Sequence, residues 1–162
     1  MPTLPHTSSM AKAIRIAEPG DAAACARLLH DFNTEYEDFT PGVEQLTPRI
    51  RELIEAGELT ILLAGDGPDG FAQLRLRPTV WNESLDAYLE ELYVKPPLRG
   101  GGIGRALLEA AMSEAVSRGA KHLDLCTSDD DVAARALYES CGFTNREGAP
   151  DGPVMFYYER DL

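Results

Sequence analysis

Apolar positions along the chain fall into short strand-sized runs and one long helical stripe. Ala13 to Ile16 reads as a short strand. Asp21 stands where a helix through Leu28, Leu29 and Phe32 would be capped. Thr47 caps a second helix, Pro48 to Ala56, with Gly57 past its end. Leu59 to Ala64 and Phe71 to Arg77 read as strands of a hairpin, joined by Gly65-Asp66-Gly67-Pro68-Asp69-Gly70. Ala87 to Val94 is a further strand. It stops at Lys95-Pro96-Pro97, because proline has no N–H to give a ladder. Ile103, Leu107, Ala111 and Ala115 recur every fourth residue, with Leu108 and Met112 beside them. That stripe predicts the longest helix, Ile103 to Arg118, closed by Gly119. Lys121 to Cys126 is a strand, Val132 to Cys141 a helix ended by Gly142, and Val154 to Tyr158 a last strand. This order predicts an α/β chain of the α+β type, a mixed central sheet flanked by helices.

Length sets the scale. At roughly 150 residues per domain, 162 residues make one domain, here residues 13–162. The first twelve residues carry two prolines with Ser and Thr and read as a disordered tail. They lack the basic start and apolar core of a secretion signal, and Met10 is an alternative start. No apolar run approaches the ~18 residues of a membrane span. Three cysteines without a CxxC pair argue against a zinc site and for a reducing, cytoplasmic setting.

Charge narrows the partners. Fifteen Lys and Arg face 27 Asp and Glu, a formal net charge of -12. Binding to a phosphate backbone depends on dense basic neutralisation, so nucleic acid and anionic membranes are not expected partners. A cationic small molecule would be drawn in instead. Acidity that serves solubility alone is the competing explanation.

The chemistry-bearing feature is the turn Arg99-Gly-Gly-Gly-Ile-Gly104, set between a strand and a helix. Backbone N–H groups are unpaired there and the helix dipole is positive, which suits a diphosphate. Glycines let phosphate oxygens approach the backbone. Arg99 and Arg105 add positive charge. The turn is no Walker loop, since Arg105-Ala106 follows where Lys-Ser/Thr is needed. Leu107 breaks the GxGxxG dinucleotide pattern. A ligand-free strand-to-helix turn is the plain alternative.

These residues resemble a known family. Val94-x-Pro96-x-x-Arg99-Gly-x-Gly102-Ile-Gly104-x-x-Leu107-Leu108 is similar to the acetyl-CoA motif of the GNAT N-acetyltransferases, and Ala134-x-x-Leu137-Tyr138-Glu139-x-x-Gly142-Phe143 to its second motif. The resemblance covers at least Ala87 to Phe143. It implies the GNAT fold and acetyl-CoA as co-substrate, without a metal. It also implies that the exposed backbone of Leu92, Tyr93 and Val94 pairs with the pantetheine arm as an added strand. The pyrophosphate would lie on Arg99, Gly100, Gly101, Gly102, Ile103, Gly104 and Arg105. Seven residues before the motif tyrosine the family usually carries Asn facing the cofactor. Here it is Asp131, a carboxylate that accepts but cannot donate.

Acetyl transfer to an amine needs a base, since a primary amine of pKa about 10.4 is neutral only about once in 2,500 at pH 7. Glu90 and Glu91 lie on the strand before the turn. In an unbulged strand Glu90 shares a face with Tyr88, Leu92 and Val94, where apolar neighbours would raise its pKa. Some amine-acetylating relatives carry a Glu nine residues before the motif arginine, which lands on Glu90. A bulge would reverse the faces and favour Glu91. Tyr138 matches the motif tyrosine that returns a proton to the leaving thiolate; otherwise it is a core aromatic of its helix. The N–H of Leu92 is the expected donor to the thioester carbonyl.

The acceptor side is bordered, in such a family, by Glu35, Tyr36, Glu37, Asp38 and Phe39 and by Pro78 to Asp86, with Trp81 and Glu83. Acidic groups beside aromatics suit a cationic amine; a solvated acidic face is the alternative. The expectation is therefore an N-acetyltransferase acting on a primary amine of a small cationic molecule by direct attack in a ternary complex. A catalytically silent acyl-CoA-binding or sensor module is its rival. A homodimer is expected from the resemblance, with no interface legible in the sequence.

Overall fold

The computed structural model describes residues 13–162, and the tail read from the sequence lies outside the described residues. The chain forms two compact units, one ending at Asp124 and one from Leu125 to Leu162.

In the first unit, β1 (Ile14–Ile16), β2 (Thr60–Ala64), β3 (Gly70–Pro78) and β4 (Leu85–Val94) pair in sequence order, each antiparallel to the next. The fifth strand, β5 (Ala120–Leu125), follows β4 at the end of the sheet order. The Leu85 N–H donates to the Gly119 carbonyl at 3.3 Å, so β4 and β5 start side by side. Three helices complete the unit: α1 (Ala22–Glu35), α2 (Val43–Glu55) and α3 (Ile103–Ser117).

The two faces of the sheet carry different helices. Ile61, Leu63, Phe71 and Tyr93 pack with Cys25, Ala26 and Leu28 of α1 and Ile50 and Leu53 of α2. Ala87 packs with Ala115 of α3 and with Ala120. Leu107, Leu108 and Ala111 of the predicted stripe are fully buried. Strand alternation sorts these residues, since successive side chains point to opposite faces.

Two helix starts differ from the sequence reading. Helix α2 begins at Val43 rather than Pro48, so Pro48 lies inside it. Gly42, at φ 92°, turns the chain into the helix, and Thr47 donates to the Val43 carbonyl at 2.7 Å instead of capping. Asp21 precedes α1 as expected, but its carboxylate is taken by Arg15 through two 2.7 Å bonds and gives no side-chain cap. That partner lowers the Asp21 carboxyl to about 2.

In the second unit, α4 (Val132–Ser140) starts with the Asp131 carboxylate accepting from the Ala134 N–H at 3.0 Å. The expected last strand, Val154 to Tyr158, does not form. Val154 makes one isolated bridge to Arg146, and residues 155–162 have no regular structure. An apolar run alone does not make a strand; a strand also needs a neighbour to satisfy its backbone.

Gly70 allows a close approach. A Cβ there would stand 2.5 Å from the Tyr93 carbonyl oxygen. Gly70→Ala is expected to cost about 1–3 kcal/mol through forced backbone shifts. A thermal melt checks this: Tm should fall by several degrees, and an unchanged Tm would contradict the packing.

Candidate functional site

The pairing of β3 with β4 contains an irregularity. Gln73 faces Glu91, but the next β3 residue, Leu74, faces Leu89. One extra residue, Glu90, is therefore accommodated on β4 as a bulge. The bulge puts both carboxylates on one face. Alternation places Phe71, Gln73 and Arg75 on the α1/α2 side, and Glu91 lies directly across from Gln73. Glu90 reaches the same side, because its carboxylate accepts from Gln73 Nε2 at 2.6 Å and from Arg75 Nε at 3.0 Å.

The two glutamates thus have different surroundings. Arg75 also donates to the Glu58 carbonyl at 3.0 Å, so the group holding Glu90 is itself fixed. Glu91 is partly buried. Burial first, then the charges of Glu90 and Asp38, pushes the Glu91 carboxyl up to about 7. Glu90 is tied down as a charged partner, while Glu91 is a carboxyl that changes protonation near neutral pH. A raised carboxylate of this kind is suited to taking a proton.

Downstream of β4, a single 3₁₀ turn (Pro96–Leu98) leads into the glycine-rich turn. Gly100 has φ 79° and Gly102 has φ 87°, left-handed values that glycine adopts without strain. Gly102 is the residue before α3, with no side-chain cap. The N–H groups of Ile103, Gly104 and Arg105 lie in the first turn, where no intrahelical acceptor exists. A Cβ added at Gly100 or Gly102 meets nothing within 4 Å, so the backbone is open on that side. The cradle fits an anion such as a pyrophosphate.

Arg99 is committed elsewhere. Its guanidinium forms a two-pronged pair with Glu35, at 2.7 and 2.8 Å, and Nε donates to the Val94 carbonyl at 2.8 Å. It also stands 5.5 Å from the centre of the Tyr93 ring. Tyr93 stacks in turn with Phe32 and Phe71. So Arg99 joins the end of α1, the end of β4 and the glycine turn. Sequence reasoning gave Arg99 to the phosphate and Glu35 to the acceptor, and missed that the two bind each other. It also missed Gln73 and Arg75. Their signal was available: Gln73, Arg75 and Arg77 put polar side chains at alternate positions along one face of the strand.

The segment after α1 brings Asp38 within electrostatic reach of Glu91. Asn33 Nδ2 donates to the Phe39 carbonyl at 3.0 Å, and the Asp38 N–H to the Asn33 carbonyl at 2.8 Å, which fixes this segment. Phe39 and Trp81 are 86 % and 88 % exposed.

In the second unit, the Asp131 carboxylate is used as the α4 cap, and the Tyr138 ring stands 6.0 Å from that of Phe143. Cys25 is buried, and burial pushes its thiol up to about 12, which makes it inert. Among the described residues no group of three or more His, Cys, Asp or Glu is placed to hold a metal ion. No helix there is long and apolar enough to cross a membrane.

Comparison with known proteins adds to this geometry. Residues 25–143 match the acetyltransferase (GNAT) family. The aminoglycoside N(6')-acetyltransferase type 1 of Stenotrophomonas maltophilia is 36 % identical over 85 % of this chain and 89 % of its own. The thialysine N-epsilon-acetyltransferase of Bos taurus is 28 % identical over 83 % of this chain and 87 % of its own. A solved structure from Arthrobacter sp. FB24, assigned as an acetyltransferase, is 44 % identical, with a TM-score of 0.87 over 96 % of this chain and 99 % of that one. An aminoglycoside acetyltransferase from a soil metagenomic sample, solved in complex with sisomicin, shares the fold at 20 % identity, with a TM-score of 0.73 over 93 % of this chain and 97 % of its own.

The raised Glu91 carboxyl has a consequence for stability. Its ordinary value is 4.5 and its folded value about 7. Between these, the folded chain holds a proton that the unfolded chain has lost, so this contribution to stability is present at low pH and fades as pH rises to 7. Glu91→Gln carries no such penalty. It should melt higher than wild type at pH 8, by roughly 1–3 kcal/mol after allowing for solvent screening, with a much smaller gap at pH 5. Equal gaps at both pH values would show that Glu91 titrates normally.

Proposed function

Because the chain belongs to the GNAT acetyltransferase family, it is an N-acetyltransferase; we propose that it moves the acetyl group of acetyl-CoA to a primary amine of a small polycationic molecule, with Glu91 as the base. One observation carries this reading: a partly buried carboxyl titrating near neutral pH, on the strand that leads into an open anion cradle.

In this reading the CoA pyrophosphate takes backbone N–H groups from Gly100 to Arg105, and Leu92, Tyr93 and Val94 offer backbone to the pantetheine arm. The cradle's attraction comes from amides and the α3 dipole, since Arg99 is paired with Glu35. The amine arrives as an ammonium, and freeing it at pH 7 costs about 4.6 kcal/mol. Glu91, directly or through a water, takes that proton. The nitrogen lone pair then attacks the thioester carbonyl carbon, whose oxygen gains charge and is met by the Leu92 N–H. The C–S bond breaks, the thiolate leaves with the electron pair, and the new amide nitrogen gives its second proton to water. By its place in the second motif, the Tyr138 hydroxyl returns a proton to that thiolate.

The acceptor class rests on charge. The net charge of -12 and the exposed Phe39 and Trp81, with Glu37 and Asp38 in the same segment as Phe39, favour a polycation of the aminoglycoside or polyamine kind. The name of the Stenotrophomonas relative points the same way.

Two measurements test the assignment. Glu91→Gln should lower kcat about 10- to 100-fold near pH 7, with the loss shrinking at high pH as free amine accumulates. Glu90→Gln should do less. A greater loss for Glu90→Gln would make Glu90 the base instead. Separately, acetyl-CoA at about 100 times its Kd should stabilise the fold by roughly 2.7 kcal/mol, a Tm rise of about 5–11 °C. Gly102→Val, checked first for folding, should remove most of that rise, because its φ is one that valine resists. An equal rise with ATP would contradict the cofactor site.

A further inference from the structure

Glu35 closes α1, and the chain turns sharply behind it. The N–H groups of Tyr36, Glu37 and Asp38 donate back to the Phe32, Thr34 and Asn33 carbonyls at 3.2, 3.3 and 2.8 Å. Glu37 sits at φ 58°, a left-handed value that costs a residue with a Cβ and persists only where its surroundings hold it. Much of that support is local. Asn33 Nδ2 donates to the Phe39 carbonyl, and His30 Nδ1 lies 3.2 Å from Thr40 Oγ1. These bonds fix the segment to its own helix. They do not fix it to β4, the strand that carries Glu91.

Phe32 and Glu35 reach β4 from this end of α1. Phe32 meets the Tyr93 ring at 5.3 Å, an apolar contact that sets distance without direction. Glu35 supplies the direction. Both of its oxygens accept from Arg99, at 2.7 and 2.8 Å, and Tyr93 also hydrogen-bonds it. Three of the five guanidinium N–H donors are thus spent, one on the Val94 carbonyl and two on Glu35. A planar fork committed in this way has little freedom left. Its backbone opens the glycine-rich turn, so a change in the turn is passed to Glu35 and from there to the next three residues. With both oxygens taken by Arg99, Glu35 acts on the reaction through that side chain rather than by touching the amine.

We infer that Glu35 is a positioning residue: through Arg99 it ties residues 36–38 to the glycine-rich turn, so that acetyl-CoA in the cradle stiffens the segment that meets the amine. This rests on the acetyl-CoA site proposed above. A segment already ordered by the cofactor costs the amine less to order. By linkage, the amine tightens acetyl-CoA by the same factor. The coupling reaches the chemistry at Asp38, whose charge acts on Glu91.

Amide hydrogen exchange on the full chain, free and with saturating acetyl-CoA, tests this. The Tm rise with acetyl-CoA reports separately on the cradle. In wild type, exchange at Tyr36, Glu37 and Asp38 should slow about 5-fold or more when acetyl-CoA binds. Glu35→Ala should keep most of the Tm rise and lose the slowing. Glu35→Gln keeps the shape but offers Arg99 a single oxygen. It should lose most of the slowing, and it carries the test if the alanine variant unfolds. Arg15→Gln breaks a two-pronged pair of similar length, Arg15 with Asp21, at the other end of α1, and should leave the slowing intact. No slowing in wild type with acetyl-CoA bound would overturn the inference. So would slowing that survives both Glu35 variants, or that is lost equally in Arg15→Gln. A wild type whose Tm does not rise at all would remove the cradle reading, and the inference with it.

Discussion

Between Glu91 and Leu89, β4 spends two steps where β3 spends one, from Gln73 to Leu74. The different chemistry of Glu90 and Glu91 depends on that mismatch. Without it, Glu90 and Glu91 would point to opposite faces, one of them toward α3. With it, both face the α1/α2 side, and two carboxylates there compete for limited neutralisation. Glu90 takes Gln73 and Arg75. Glu91 is left with burial and two negative neighbours. Burial first, and then the like charges beside it, make ionising this carboxyl costly, so it is driven toward neutral pH. The bulge thus divides the pair into an anchored ion and a titrating acid.

A second constraint fixes where that acid stands relative to the anion cradle. Arg99 opens the glycine turn, yet its side chain reaches back to Val94, Tyr93 and Glu35. The pair is partly exposed, so its Coulomb energy alone is modest. Its value is geometric: a planar guanidinium bound two-pronged to a carboxylate and laid near an aromatic ring has few alternatives. The end of α1, and with it the acidic segment through Asp38, is held to the same strand end that launches the turn. The acceptor side and the cofactor side of the proposed reaction are coupled by one side chain.

Much of this was legible in the sequence. The hairpin turn, the Ile103 stripe and Gly119 placed β2, β3 and α3 within a residue or so, because period and punctuation are local signals. The motif residues around Gly102 and Tyr138 identified the family. What was not legible depends on register. Whether Glu90 or Glu91 bears the perturbed carboxyl is decided by which β3 residues lie opposite, and only the pairing with Gln73 and Arg75 shows it. Pro48 misled the reading of α2, since a proline more often opens a helix than lies inside one. Val154 to Tyr158 has the composition of a strand, but its pairing stops at the Arg146–Val154 bridge and the Met155 N–H bond to Asn145.

The central claim is that the bulge sets Glu91 apart from Glu90, and direct titration reaches it most closely. With 13C-labelled glutamate side chains, the carboxyl resonance absent from Glu91→Gln should titrate with a midpoint near 7 in the wild-type protein. A midpoint at the ordinary 4.5, or a neutral-pH midpoint that disappears in Glu90→Gln rather than Glu91→Gln, would contradict the account.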